Sequence, residues 1–420
     1  MAISTGYIPL NFERVTPAQQ YSRLDSYVQT LEQRKGVLSF SDREVSEKLM
    51  EKVIETAGRA PSGANQQPWT YVLIKNPDIK KAIREAAEQE TGESKECLEQ
   101  APYLVALFKV TYGLEKQPDG SVKRIKHYYV PESTPLSSGF FIAALQHAGL
   151  DCIVHPVFAA LQSILSRPKN EKPCLLFAVG YAKEYNEHTR KPLSEILIGE
   201  SPLDDFYSAQ EDSLGMSHGD ETQALSSVES FLERMKKRRN VRHYSTEDAD
   251  INLLYQAVRA TAATPSAGSL QPFRFAIVSD SERKQMIREL AEIEERKLYE
   301  ERISDEWREA LAPLGTNASK PHLTDAPHLI IAFYIKDPGK NNYDIETASM
   351  AVGILMGALH HAGLCTLTHT PSPMAFLRDY LGRPTEEMPF IVLPVGYPID
   401  GCQVPDITKK PLSEILVKFD

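Results

Sequence analysis

Residues 60–69 read APSGANQQPW, and residues 264–273 read TPSAGSLQPF. The first stretch lies between VIETAGRA (53–60), whose apolar residues have helical spacing, and TYVLI (70–74), a short β-branched and aromatic run. Pro, Ser and Gly between a helix and a strand predict a tight loop whose backbone amides can face a ligand. An ordinary helix-to-strand turn has the same composition, so the prediction of a ligand-binding loop requires further evidence from the rest of the sequence.

A repeat that runs through the whole chain provides this evidence. An offset of 204 residues aligns the two loops and also places RKGVL (34–38) on RRNVR (238–242). The later matches are APYL (101–104) with APHL (326–329), HAGL (147–150) with HAGL (361–364), VGY (179–181) with VGY (395–397), and KPLSEIL (191–197) with KPLSEIL (410–416). A repeat of about 200 residues indicates a duplicated domain, because solenoid repeats have much shorter periods.

The bulk composition narrows the class of protein. The 420 residues carry a net charge of −10, which argues against a nucleic-acid partner because a phosphate backbone needs a basic face. MAISTGYIPLNFERV lacks the pattern of a secretory signal or a membrane span, so we expect a cytoplasmic protein without a membrane partner. The five cysteines are scattered without CxxC spacing, which predicts buried thiols in a reducing compartment rather than metal ligands.

The order of predicted elements indicates an α+β fold. Each half runs from helices through strand, helix and strand to a long apolar helix, and closes with strands such as CLLFAVGY and PFIVLPVGY. This order predicts a mixed sheet covered by helices in each half. The acidic, Ser- and Gly-containing stretch 201–223 is predicted to be a linker between domains at 1–200 and 224–420.

Four boxes, each intact in at least one half and altered in some cases in the other, occur in the same order in both halves. They are a basic RRxVR box, the PSGAxxxPW loop, a Thr-rich strand end such as TLTHTP (366–371), and a closing VGYP…KPL. In order and spacing the chain resembles the nitroreductase-like flavoproteins, most closely the iodotyrosine deiodinase branch. The resemblance implies an obligate two-fold dimer with FMN in two clefts. One subunit supplies the basic box and Thr strand, and the other supplies the PSG loop. Because both copies lie in one chain, it implies an intramolecular pseudo-dimer that acts as a monomer.

The two copies keep different parts of the implied cofactor site. The basic box survives in the second half as Arg238, Arg239, Asn240 and Arg242, against Arg34, Lys35, Gly36 and Leu38 in the first. The resemblance places Thr370 near flavin N5, with Thr368 and His369 beside it. His369 stands where the family has Thr, either as a backbone contact, which we favour, or as a proton donor. Lys409 replaces the family's Arg before KPL.

The PSG loop shows the opposite loss. The first half keeps Pro61, Ser62, Gly63, Ala64 and Asn65, whereas Ala267 replaces the glycine in the second half. That replacement matters if the backbone at Gly63 has positive φ or approaches the flavin closely. The resemblance assigns the Ser62 and Gly63 amides to the flavin ring and the Ala64 N–H to a substrate oxygen. We therefore predict one FMN site per chain, combining the first half's loop with the second half's basic box.

The second half has 21 more residues before its APHL match, which the resemblance identifies as a helical lid. In deiodinases a Glu, a Tyr four residues later and a Lys about twenty residues further hold the zwitterion of an amino acid. Glu295, Tyr299 and Lys320 have this spacing. The stretch 287–310 also reads as an ordinary charged surface helix. Which of the two clefts the lid serves is open at this stage.

The predicted function is that of an FMN-dependent oxidoreductase that reduces a small aromatic substrate, with reductive dehalogenation of a halophenol or halotyrosine ranked first. Nitro, quinone or enone reduction is the nearest alternative. An oxygen-dependent flavin-cleaving enzyme and a non-catalytic flavin-binding protein are further alternatives. The electron donor, NAD(P)H or a separate reductase, is not readable because no GxGxxG box follows a strand.

Overall fold

The structure, a computed structural model, describes residues 6–186, 190–199, 219–337 and 343–420. Its strands are β1 (Tyr7–Pro9), β2 (Gly36–Phe40), β3 (Trp69–Ile74), β4 (Tyr103–Val110), β5 (Tyr112–Lys116), β6 (Val122–Lys126), β7 (Asp151–His155), β8 (Glu171–Gly180), β9 (Ala182–Asn186), β10 (Leu197–Ile198), β11 (Phe273–Val278), β12 (His328–Ile335), β13 (Cys365–Thr366), β14 (Glu387–Gly396), β15 (Gln403–Pro405) and β16 (Leu416–Phe419). Most of the predicted linker, 201–218, lies outside the described residues.

The α-helices are α1 (Pro17–Glu32), α2 (Glu47–Ala57), α3 (Pro77–Thr91), α4 (Cys97–Gln100), α5 (Val130–His147), α6 (Leu161–Ile164), α7 (Leu193–Ile196), α8 (Glu221–Lys237), α9 (Ile251–Ala260), α10 (Ser281–Lys297), α11 (Asp305–Leu311), α12 (His322–Asp325), α13 (Asp344–His361), α14 (Ala375–Tyr380) and α15 (Leu412–Ile415). Among the described residues, none of these helices is long and apolar enough to cross a membrane. All five cysteines are free thiols.

The described chain forms two compact units, and neither is a simple half of the sequence. The lid unit consists of residues 6–29, 190–199 and 237–408, apart from 338–342. The PSG unit consists of residues 30–186, 219–236 and 409–420. Each unit therefore combines the sheet of one half with the N-terminal helix and the closing KPLSEIL segment of the other half.

A five-stranded mixed sheet with the order β16-β3-β4-β8-β7 forms the centre of the PSG unit. Its edge strand β16 comes from the end of the chain and pairs in parallel with β3, with Leu416 opposite Tyr71. All six residues of β3 are buried, and helix α5 is buried along nearly its whole length. A helix that is apolar all round belongs in a core, which explains the uninterrupted run SSGFFIAAL. The hairpin of β5 and β6 is inserted between β4 and α5.

The lid unit repeats this plan with the sheet order β10-β11-β12-β14-β13. Here the parallel edge strand is β10 from the first half's KPLSEIL segment, with Leu197 opposite Phe275. Both sheets carry a register shift at the same repeat position, between Leu107 and Phe108 and between Ala332 and Phe333. The predicted α+β class with two mixed sheets covered by helices is confirmed. The exchange of closing segments was not predicted.

Candidate functional site

The basic box and the Thr strand of the second half lie together in the lid unit. The backbone N–H of Val241 donates to the Thr366 carbonyl at 3.0 Å, which joins the two segments. The Arg238 guanidinium donates to Asn240 Oδ1 at 3.2 Å, and the Asn240 side-chain amide donates to Thr368 Oγ1, also at 3.2 Å. The predicted phosphate residues and the predicted Thr strand are therefore linked by a chain of hydrogen bonds.

The electrostatics of this box suit an anion. Arg238 is only 6% exposed, and its Nε atom has no hydrogen-bond partner within the described ranges. Burial and, to a smaller extent, the neighbouring Arg239 lower the pKa of Arg238 to about 10. No ion pair formed within the described ranges includes Arg238 or Arg242. A buried cation without a carboxylate is unfavourable by itself, so the residues present fit a bound phosphate group.

Arg239 has a different environment. Its guanidinium donates to the Pro405 carbonyl, which lies in strand β15. Burial lowers the pKa of Arg239, while the carboxylate of Asp406 acts in the opposite direction. One N–H of the Arg239 guanidinium thus binds strand β15, and the guanidinium has further N–H groups that can bind a ligand.

The PSG unit differs from the lid unit at the position that matches the basic box. Residues 36–40, which correspond to the end of the basic box, form strand β2 and pair with β9. Asp151, which stands where the second half has Cys365, is fully buried and accepts a hydrogen bond from the Tyr185 hydroxyl at 3.0 Å. Burial raises the pKa of the Cys152 thiol to about 11, with opposing effects of Arg34 and Asp151. A buried carboxylate at this place repels a phosphate.

The lid is formed by α10, a single π-helical turn at Leu298–Arg302, and α11. Its outer face is charged and exposed, but Glu295 and Lys320 are 5% and 3% exposed. Lys320 Nζ lies 3.1 Å from Glu295 Oε2 and 5.5 Å from the centre of the Tyr299 ring. The structure therefore brings the three predicted substrate residues together, and Glu295 points inward rather than to solvent.

Thr316 completes this cluster and was missed by the sequence reasoning. Lys320 Nζ donates to Thr316 Oγ1 at 3.2 Å, and the Tyr299 hydroxyl lies 3.5 Å from the same oxygen. Thr316 precedes Lys320 by four residues, and this spacing was the available signal. The hydroxyl connects the lid helix to the segment that carries the lysine.

Arg242 lies beside the lid. Burial lowers the pKa of Arg242, and the phenols of Tyr7, Tyr244 and Tyr299 act against this shift. Arg242 in turn contributes to lowering the pKa of Lys320, for which burial is the largest cause. Within the lid unit, the lid thus adjoins the basic box of its own half, which the sequence left open. The role of Arg242 as a phosphate ligand stays a prediction.

Thr370 and His369 lie in the extended segment that also contains Thr368. His369 is buried and forms a backbone bridge with Val392, whereas Thr368 and Thr370 are half-buried. Alternating burial is expected for an extended chain, whose successive side chains point to opposite sides. His369 thus makes a backbone contact within the sheet, and its role toward the flavin stays a prediction.

In the PSG unit, the loop has an unusual backbone. Ala64, Asn65 and Gln67 have φ values of 47°, 53° and 48°. Such left-handed conformations cost about 1–2 kcal/mol each in residues other than glycine. In the second copy Gly268, at the position of Ala64, takes the first of these conformations. The strained position is therefore at Ala64, whereas Gly63 is absent from the positive-φ residues.

Gly63 is required for a different reason. A Cβ atom at Gly63 would lie 2.7 Å from the Tyr128 carbonyl oxygen and 2.9 Å from Tyr129 Cδ2. The Gly63 N–H, predicted to contact the flavin ring, donates to Ser133 Oγ at 3.2 Å, and Ser62 Oγ accepts from the Gln67 N–H at 2.8 Å. Close packing inside the PSG unit, rather than positive φ, thus explains the glycine.

The closing segment of the chain holds this loop. The backbone N–H of Lys410 donates to Gln67 Oε1 at 2.7 Å, and its ammonium donates to the Gln67 carbonyl at 2.9 Å. Lys409, the predicted cofactor residue, donates to the carbonyl of Ala60, directly before Pro61. Lys410 and Gln67 were missed, although the repeated KPL and the Gln-Pro shared by both loops were signals for them.

Comparisons with known proteins agree with this architecture. The family model described as the nitroreductase family matches residues 31–107 and 235–397, together more than half of the chain. An iodotyrosine deiodinase of Haliscomenobacter hydrossis is 41% identical over 202 residues, which cover 46% of this chain and 91% of that protein. An iodotyrosine deiodinase of Hydra vulgaris is 36% identical over 229 residues, 52% of this chain and 84% of that protein.

A solved structure of oxidized iodotyrosine deiodinase bound to FMN and 3-iodo-L-tyrosine is 31% identical, covers 45% of this chain and 98% of its own, and has a TM-score of 0.41. The predictions of the family and of the oxidoreductase class are confirmed. The chain belongs to the nitroreductase family, whose members are FMN-dependent oxidoreductases.

Proposed function

We propose that the chain is a flavin-dependent reductive dehalogenase whose substrate is a halogenated tyrosine or a closely similar amino acid. The observation that carries this proposal is the buried ion pair of Glu295 and Lys320 beside Tyr299. The relatives named iodotyrosine deiodinase, at 41% and 36% identity, support the same substrate class.

A buried Glu–Lys pair suits a zwitterion. The substrate ammonium would bind to Glu295 and the substrate carboxylate to Lys320, so each buried charge keeps an opposite partner when the substrate enters. A halophenol without the amino-acid group leaves the two side chains paired with each other and gains nothing from them. Tyr299 and Thr316, both in contact with Lys320, would hold its ammonium in place.

FMN is the proposed cofactor, and the lid unit offers residues for its phosphate. Arg238, Arg239 and Asn240 would bind the phosphate, because their donors are buried or half-buried and Arg238 has no carboxylate partner in the described part of the chain. Thr368 would orient the Asn240 amide through the existing hydrogen bond. The Thr370 hydroxyl would form a hydrogen bond with N5 of a bound flavin.

The reaction would replace a carbon–halogen bond with a carbon–hydrogen bond. Reduced FMN would supply two electrons, a proton would add to the ring carbon, and the halide would leave as an anion. For the PSG unit, we retain Pro61, Ser62, Gly63 and Asn65 as proposed flavin contacts and Ala64 N–H as the proposed donor to a substrate oxygen. The two electrons would come from NAD(P)H or from a separate reductase.

The test uses the purified full chain. FMN per chain is measured first; the protein is then reduced without oxygen and mixed with 3-iodotyrosine. We expect one iodide and one tyrosine per bound FMN. Parallel reactions with 2-iodophenol, a nitroarene, a quinone and an enone separate the alternatives.

Reduction of the nitroarene, quinone or enone without any iodide from iodotyrosine would replace this proposal with the general reductase. Destruction of FMN in air during turnover would indicate the flavin-cleaving alternative. Stable FMN that oxidises at the same slow rate with every compound would indicate a flavin-binding protein without this activity.

A further inference from the structure

Two buried histidines lie beside the lid of the lid unit. His322, the first residue of α12, is 5% exposed, and His369 is 7% exposed. Their ring centroids are 5.1 Å apart, and the rings meet edge to face. His322 follows Lys320 by two residues, and His369 lies between Thr368 and Thr370. Both rings are close enough to Lys320 and Arg242 to interact with their charges, so both adjoin the proposed site.

Neither imidazole has satisfied its hydrogen-bonding capacity. The Nε2 atoms of His322 and His369 are buried and have no hydrogen-bond partner among the residues that the structure describes. A buried polar atom without a partner requires an explanation, such as a functional role, a water molecule or a bound ion. Two such atoms on adjacent rings are an unusually strong case.

The charges around the pair decide which ligand suits it. Burial is the main reason why the pKa of His322 falls to about 3, and the charged groups that add to this shift are all basic: Lys320, Arg242, Arg288 and His243. For His369, burial and then His322, Lys320 and Arg242 act in the same direction. Lys320 and Arg288 are paired with Glu295 and Glu292. Arg242 forms no ion pair within the described ranges, so its charge is the one that disfavours a metal cation and favours an anion at this place. An imidazole with Nε2–H can donate to an anion without becoming charged itself.

In the PSG unit, the two residues that match His322 and His369 contact each other. The repeat places Cys97 at the position of His322 and His155 at the position of His369. The Cys97 sulfur lies 3.5 Å from His155 Nε2, so these two groups are partners of each other. Only the copy that carries the lid has two imidazoles with unpaired nitrogens here, among the residues that the structure describes.

We propose that His322 and His369 form a binding subsite for a small monovalent anion of the halide class, held by one N–H from each ring. Its assignment to the halide that leaves the substrate rests on the proposed function. His369 contacts His322 and interacts with Lys320, so the subsite would adjoin the proposed substrate residues rather than Thr370. Arg242 would favour the negative charge from a distance.

The experiment is bromide binding to the full chain with FMN bound. Crystals soaked in bromide are measured at the bromine absorption edge, and bromide is titrated calorimetrically in solution. We expect an anomalous peak within hydrogen-bonding distance of both Nε2 atoms. We expect His322→Cys, which imitates the PSG unit, and His369→Gln each to weaken bromide binding at least tenfold. The matched control His155→Gln should leave it unchanged.

Bromide peaks confined to the protein surface, or affinity that is equal in all four proteins, would overturn the subsite. Circular dichroism of each variant verifies that it is folded before it is compared. The two proposals can fail separately. Bromide at the histidines with no iodide released from 3-iodotyrosine or 2-iodophenol would reject the dehalogenase and keep the subsite. Iodide release from 3-iodotyrosine with no bromide at the histidines would keep the dehalogenase and reject the subsite.

Discussion

Lys410 donates two hydrogen bonds to Gln67, a residue 343 positions earlier in the chain. Lys191 makes the same two bonds to Gln271, 80 positions later. Each lysine opens a KPLSEIL segment and each glutamine ends a loop with left-handed residues. The last residues of the chain thus hold a loop of the first half, and the last residues of the first half hold a loop of the second.

Replacing Lys410 should disturb the loop that we propose to contact the flavin. We expect Lys410→Met to speed hydrogen exchange at 62–67 and to weaken FMN binding about tenfold, because a hydrogen bond from a charged group contributes about 1.5–3 kcal/mol. Hydrogen exchange and a flavin titration measure the two effects. Lys191→Met, the matched control, should speed exchange at 266–271 without changing FMN affinity. Equal loss of FMN affinity in both variants would contradict the assignment.

Ala64 should store strain that glycine removes. We expect Ala64→Gly to stabilise the chain by about 1 kcal/mol, since glycine adopts a φ of 47° without steric cost. Turnover should fall, because the loop then samples other conformations. Denaturant unfolding and steady-state kinetics provide the measurements. Gly268→Ala is the reverse change in the other copy and should destabilise without affecting turnover. An Ala64→Gly variant with lower stability would contradict the prediction that Ala64 is strained.

The unequal basic boxes predict one FMN per chain. Arg239→Ala should raise the dissociation constant of FMN tenfold or more, because a charge-assisted hydrogen bond to phosphate is lost. Lys35→Ala, the corresponding change in the first half, should leave the constant unchanged. Flavin fluorescence during titration provides the constants and the stoichiometry. Two FMN per chain would show that the Asp151 site still accepts phosphate.

The lid pair predicts discrimination between substrates. We expect Glu295→Gln and Lys320→Met each to raise KM for iodotyrosine about tenfold to a hundredfold while changing KM for 2-iodophenol little, since only the amino acid carries the charges that these residues would bind. The double variant should lose less than the sum of the two single losses. Steady-state iodide release is the measurement. Equal losses for both substrates would indicate a purely structural ion pair.

Much of the candidate site was predictable because the duplication supplies its own comparison. Asn240 and Arg242 were identified from matched losses in the first half, and the structure joins Asn240 to Arg238 and to Thr368. Glu295, Tyr299 and Lys320 were identified from the family spacing, and the structure places them in one cluster. His322, Thr316 and Lys410 were missed, because their importance comes from partners that no local pattern reveals.

The sequence by itself determined the duplication, the α+β class and the unequal survival of the two sets of motifs, since periodicity and matched substitutions are local properties of the chain. Only the tertiary structure decided that Gly63 is required by the Tyr128 carbonyl, and that the strain lies at Ala64. It also decided that APSGANQQPW is held by the distant Lys410. Backbone angles and long-range hydrogen bonds depend on which segments pack together, and packing is set by burial across the whole fold rather than by neighbours in sequence.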